Sequence, residues 1–174
     1  MSMLQVHEVV PAGEKADALA GTVTLTFDDR QRSRLLTRLD DGRELALMLP
    51  RGTVLRDGDR LRGGDSVVLV HAAPESLSVV HTTDRHQLAR AAYHLGNRHV
   101  PVQIAADSLA YAHDHVLDDM VRGLGLVIEA RVAPFQPEPG AFHGGGHHHH
   151  HAHDQAHDHE HHHHDHDHDG DHHH

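Results

Sequence analysis

The chain has 174 residues, enough for one ordinary domain or two small ones. It carries 26 Asp and Glu against 15 Lys and Arg, which argues against nucleic-acid binding, because phosphate recognition needs clustered basic residues. Cysteine is absent, so disulfides, thiolate metal sites and cysteine nucleophiles are excluded, and with aromatics at 3% any core is built from Leu, Val, Ile and Ala.

The opening MSMLQVHEVVPAGEK has neither a basic start nor a long apolar run. No stretch of about 18 apolar residues occurs further on. The expectation is a cytoplasmic protein with no leader and no membrane span. Residues 1–73 are predicted to be β-rich. Thr22 to Phe27 alternates polar and apolar side chains, the period of a half-buried strand, and Asp28-Asp29 marks a turn after it. Leu35–Leu39 and Glu44–Leu49 flank the turn Asp40-Asp41-Gly42-Arg43 and predict a hairpin. Further turns at 50–52 and 56–59 precede an apolar strand, Ser66–Val70. Short strands between turn signals predict a small sandwich or barrel.

Residues 74–136 change character. Leu77–Val80 is a strand. Asp84 is a helix N-cap with Gln87 as its capping-box partner, and Leu88, Ala91, Ala92 and Leu95 share one helical face that Gly96-Asn97 closes. Val100–Ile104 and Ser108–Tyr111 are strands. Asp114 caps a second helix with an apolar stripe of Val116, Leu117, Met120, Val121 and Leu124, ended by Gly123 and Gly125. Leu126–Val132 is the last strand. The predicted class is therefore α+β: a β domain over 1–73, then a ferredoxin-like β-α-β-β-α-β domain over 74–136. Residues 137–174 follow as a linker and tail, the Pro- and Gly-rich connection beginning at Pro134. The tail has no apolar residue larger than Ala and is expected to be disordered without metal.

Histidine carries the functional signal. Of 26 His, 18 lie between His143 and His174, interleaved with Asp and Glu, and the last 32 residues contain no Lys or Arg. An expression tag is a pure His run, and a solvated acidic tail has no reason to alternate acids with His. Neutral imidazoles at neighbouring and alternate positions can close chelate rings around one divalent ion. The candidates here begin with His143, His147, His148, His149, His150, His151, His153, His157 and His159. Affinity should fall as pH drops through about 6.5, where protons compete for the same nitrogens.

In the folded part, His99 lies just past the first helix. A lone surface His is usually only that, but a two-fold dimer would bring two copies together around one ion. His113 and His115 flank the Asp114 cap. In an extended approach they point the same way and can share a metal, whereas inside a regular helix they diverge by about 200°. The plainer reading is two polar residues at a helix start. His94, one position off the apolar stripe, is read as core-edge packing. His7, His71, His81 and His86 belong to no constellation. No nucleophile elbow or phosphate loop is present, and the only Lys is Lys15. A metal-dependent hydrolase using His99, His113 and His115 lacks a Glu placed as in H-E-x-x-H.

The runs YHLGNRHVPVQI at 93–104, YAHDHVLDDMVRGLGL at 111–126 and APFQPEPGAF at 133–142, with the His-rich terminus, resemble the urease accessory protein E family. These are the nickel metallochaperones of urease maturation. The resemblance is close over about 70–142 and looser over the N-terminal region. It implies a homodimer, a first domain that contacts protein partners and a ferredoxin-like domain that carries metal. It further implies Ni(II) as cargo and delivery to apo-urease together with a GTPase accessory protein; Zn(II) and Cu(II) are competing ions because imidazole suits both and intrinsic affinity rises from Ni to Cu. His99 matches the family's interface ligand, and His113 and His115 match peripheral metal-binding histidines of some members. The alternative is a His-rich nickel or zinc buffer.

Overall fold

A computed structural model describes residues 3–11 and 18–139, all within one compact unit. In the N-terminal part, β1 (Leu4–Val6), β5 (Glu44–Met48) and β4 (Arg34–Arg38) form a three-stranded sheet in the order β1-β5-β4. A four-stranded sheet runs β2-β6-β7-β3, from β2 (Glu8–Val9), β6 (Arg60–Gly63), β7 (Ser66–Ala72) and β3 (Leu19–Leu25). Alternation decides what faces inward. Val23 and Leu25 of β3, Val68 and Val70 of β7, and Leu45 and Leu47 of β5 meet in one core. The β4–β5 hairpin forms around Gly42 as expected. β1, β2 and β6 are additional strands that the turn signals did not announce. At Gly63 the β1 backbone comes so close that a Cβ would lie 1.7 Å from the carbonyl oxygen of Gln5, so this position excludes any side chain.

The predicted strand Thr22–Phe27 stops at Leu25, and Asp28-Asp29 is not a turn. Thr26 instead caps a one-turn helix, α1 (Phe27–Arg30), with its hydroxyl accepting from the Asp29 amide at 3.3 Å. The two acids suit the positive end of that turn.

The C-terminal part runs β8 (Pro74–His81), α2 (Arg85–Gly96), β9 (Gln103–Ile104), β10 (Ser108–Ala112), α3 (His115–Gly123) and β11 (Ile128–Pro134). The sheet order is β11-β8-β10-β9, antiparallel throughout. The class is α+β. Leu88, Ala91 and Leu95 of α2 and Val121 of α3 pack on Val80, Leu109 and Tyr111 of one sheet face. Leu77, Val79 and Ala110 line the other face with Phe135.

Four details depart from the sequence reading. The Asp84 side chain caps α2 through the His86 and Gln87 amides. The return half of the capping box is not made, because the Asp84 amide donates to Thr82 Oγ1 and Gln87 accepts from Arg90. The strand expected at Val100–Ile104 shortens to two residues, since Pro101 has no N–H and the Val102 carbonyl is taken by the Glu138 amide. Val116 is 62% exposed, off the buried stripe. β11 begins at Ile128 and not at Leu126, because the amides of Gly125 and Leu126 turn back to close α3.

The connection that starts at Pro134 is no free linker in its described portion. Phe135 is buried and packs edge-on against Phe27, with ring centroids 5.5 Å apart. Its carbonyl accepts from Arg30 Nη2. The Gln136 amide donates to Gln103 Oε1 at 2.8 Å, and Gln136 Oε1 accepts from the Asp57 amide at 3.0 Å. Residues 135–138 are thus a strap pinned to both halves of the unit. The expected disorder of the tail lies outside the described residues.

Candidate metal centre

His99 owes its position to how α2 ends. The Val100 amide reaches back to the Leu95 carbonyl at 3.2 Å and the His99 amide to the Gly96 carbonyl at 2.9 Å. This paired closure needs a left-handed residue at its pivot, and that residue is His99, at φ 57°. Among the described residues it is the only non-glycine with positive φ. Gly96 and Asn97, predicted to close the helix, leave that task to it. Leu95 and Val100 both sit in the hydrophobic core, which holds the turn in place while His99 itself stays exposed. A positive φ at a residue with a side chain carries a conformational cost that glycine would avoid.

His99 and Pro101 line a groove of about 600 Å³ together with Phe27, Arg30 and the strap from Gln136 to Pro139. Arg30 is 1% exposed, with Nη1 donating to the Leu55 carbonyl at 3.2 Å. Burial lowers its pKa, an effect that Glu75 opposes. The strap therefore brings the chain that leads into the His-rich segment to the groove that His99 borders.

His113 lies between β10 and α3. Its Nδ1 is 3.0 Å from Ser78 Oγ and 3.4 Å from Asp118 Oδ2. Tyr111 Oη donates to Asp118 Oδ1 at 2.8 Å. Burial, reinforced by this hydrogen bond, pushes the Tyr111 phenol well above its ordinary range, so it remains a donor. His115, the first residue of α3, is exposed. Asp114 between them caps the helix through the Val116 and Leu117 amides, and these hydrogen bonds, the one from Leu117 first, hold its carboxyl below the usual range. His94 is half-buried beside Tyr93, as expected for core-edge packing. His71 lies 3.7 Å from Asp57.

Among the described residues, no three His, Asp or Glu side chains come together as a metal-holding group. His99 does not meet His113 or His115 in such a cluster. The tail candidates His143, His147–His151, His153, His157 and His159 lie outside the described residues. Ser78, Tyr111 and Asp118 were not singled out from the sequence. Asp118 left a readable signal: a carboxylate on the same helix face as Leu117 and Val121, where burial requires a partner.

No helix among the described residues is long and apolar enough to cross a membrane. Comparison with known proteins covers nearly all of the chain. Residues 6–73 match the model of the UreE urease accessory protein N-terminal domain, and residues 75–174 match that of its C-terminal domain. Urease accessory protein UreE of Pseudomonas putida (strain W619) is 59% identical over 136 residues, covering 77% of this chain and 84% of the relative. The protein of the same name from Alkalilimnicola ehrlichii is 57% identical over 143 residues, 82% of this chain and 86% of that one. That of Teredinibacter turnerae is 52% identical over 147 residues, 84% and 95% of the two chains. With both halves of the family represented and more than half of the aligned residues identical, the chain belongs to the UreE urease accessory protein family.

Proposed function

We propose that this protein is a nickel-binding metallochaperone that delivers Ni(II) to apo-urease while the metallocentre is assembled, working in the cytoplasm as a homodimer with a GTPase accessory protein. Its membership in the urease accessory family supports a role in urease maturation. The observation that carries the nickel reading is His99, exposed at a left-handed pivot on the rim of the groove. One imidazole cannot fill a coordination sphere. A second His99 across a two-fold axis and imidazoles from the tail are the ligands available to complete it. A centre of this kind stays open on one side, so an incoming protein can exchange ligands one at a time. The chain acts as a carrier and not a catalyst. Residues 1–73 serve as the partner-binding domain and 74–136 as a ferredoxin-like metal domain, a reading supported by the β-α-β-β-α-β order. The competing reading is a nickel or zinc buffer, favoured by the 18 His after Phe142.

Three proteins separate these readings: the full chain, the chain ended after Phe142, and full-length His99→Asn. Asn tolerates the left-handed pivot but is no imidazole. The carrier reading expects the chain ended after Phe142 to bind about one Ni(II) per dimer by calorimetry. It expects His99→Asn to fail in urease activation at limiting nickel. Full activation by His99→Asn would sink the carrier reading. No nickel binding by the shortened chain would hand the function to the tail.

A further inference from the structure

His113 and His115 flank the same helix cap, yet only His113 is held from beneath. Its Nδ1 faces Ser78 Oγ and Asp118 Oδ2. Ser78 and Tyr111 are 0% exposed and Asp118 is 3% exposed, so this support is interior. Half of the His113 side chain remains in solvent. Arg122 Nη2, 3.6 Å from Asp118 Oδ2, offsets the buried charge.

One arrangement satisfies the carboxylate, the phenol and the imidazole together. An ionised carboxylate only accepts, and Tyr111 donates to its Oδ1. Oδ2 is left as an acceptor facing Nδ1, and Ser78 Oγ offers lone pairs beside it. A neutral imidazole satisfies both by keeping its single proton on Nδ1. The lone pair is then on Nε2, for which no hydrogen bond is made among the described residues. The tautomer of a histidine is set by the hydrogen bond its other nitrogen makes. A carboxylate behind the ring is also the arrangement that orients histidine ligands in metal proteins.

We propose that Asp118, held by Tyr111 and assisted by Ser78, is a positioning residue that fixes His113 as an Nε2 ligand for a divalent metal ion. His115 has no such support and is the unfixed neighbour. This inference rests on the reading that the exposed histidines take metal.

The test uses the metal-free full chain with 15N-labelled histidine, observed by long-range proton–nitrogen correlation at mildly alkaline pH. The His113 signals are identified by their loss in His113→Gln. The expected spectrum shows Nδ1 protonated and Nε2 bare, and added Zn(II) moves the Nε2 resonance. In Asp118→Asn the amide carbonyl accepts from Tyr111 and its NH2 turns toward Nδ1, so the proton shifts to Nε2. The zinc needed to half-shift His113 should rise about 10-fold, the lower end of the usual effect of losing such a partner. Ser78→Ala, a milder change, should lower the Nδ1-protonated fraction with the fold retained by circular dichroism. A wild-type proton on Nε2, zinc on Nδ1, or an unchanged bias in folded variants overturns the proposal. These spectra need no urease. A normal His113 signature beside full activation by His99→Asn would reject the carrier reading alone, and the reverse would reject only the positioning role.

Discussion

Helices α2 and α3 end in the same way with different residues at the pivot. In α3 the Leu126 amide reaches the Val121 carbonyl at 3.4 Å and the Gly125 amide reaches Arg122 at 2.9 Å, with Gly125 at φ 86°. In α2 the matching set is Val100 to Leu95 and His99 to Gly96, with His99 at φ 57°. Each pairs a buried residue inside the helix with an apolar residue just past it, all in one core. Gly meets the backbone requirement at no steric cost, whereas a side chain there is strained. The α3 pivot is therefore the less costly of the two, and the carrier reading proposed above gives the α2 pivot its reason for keeping an imidazole. A repeated local solution executed with the less favourable residue singles out His99 as the position to test.

The largest expected effect comes from removing what holds the α2 end. Leu95→Ala should destabilise by about 2–5 kcal/mol in chemical denaturation. A smaller loss would mean that the pivot is held by something other than its core contact. Gly125→Ala should cost about 1–2 kcal/mol. No atom lies within 4 Å of the added Cβ, so the whole cost is conformational. His99→Gly should stabilise the protein by up to about 1 kcal/mol, the relieved strain being partly offset by the freedom glycine gains in the unfolded chain. The same variant should lose urease activation at limiting nickel. Destabilisation by His99→Gly would erase the contrast between the two helix ends.

How much of this was legible in sequence follows from the range of each interaction. Both N-caps, Asp84 and Asp114, were readable because a cap is a local arrangement. The Leu88–Leu95 face was readable because burial repeats every turn. Phe27–Arg30 misled because an alternating run ends in the same letters whether the next residues bend or coil. The left-handed turn at His99 was not legible, since Gly96 just upstream looked like the natural closing residue. The Ser78–His113–Asp118 group joins positions up to 40 apart and emerges only from the β8–β10 register. The resemblance named His99 and His113 as residues to watch, but not the backbone or the carboxylate that holds them.

The smallest effect concerns the opposite end of α3. Hydrogen bonds from the Leu117 and Val116 amides depress the Asp114 carboxyl. Its contribution to stability is therefore complete above the ordinary carboxylate value of about 3.9 and is lost as pH falls through the lower folded-state value. Asn caps as well as Asp but does not titrate. Asp114→Asn should thus flatten the acid side of the metal-free stability profile while leaving neutral stability nearly unchanged. An identical acid limb in both proteins would remove Asp114 from that account.

The strap has a consequence for metal traffic. It anchors the chain at Glu138, whose amide is bonded to Val102, on the groove that His99 borders. His143 follows five residues later and can therefore lie no further than about 18 Å from that anchor. Confinement to a sphere of that radius corresponds to a local imidazole concentration on the order of 0.05–0.1 M, whatever the protein concentration. For the carrier proposed above, exchange of an ion between His143 and the rim would then be a first-order event within one molecule, a choice between tethered neighbours in place of a search through solution.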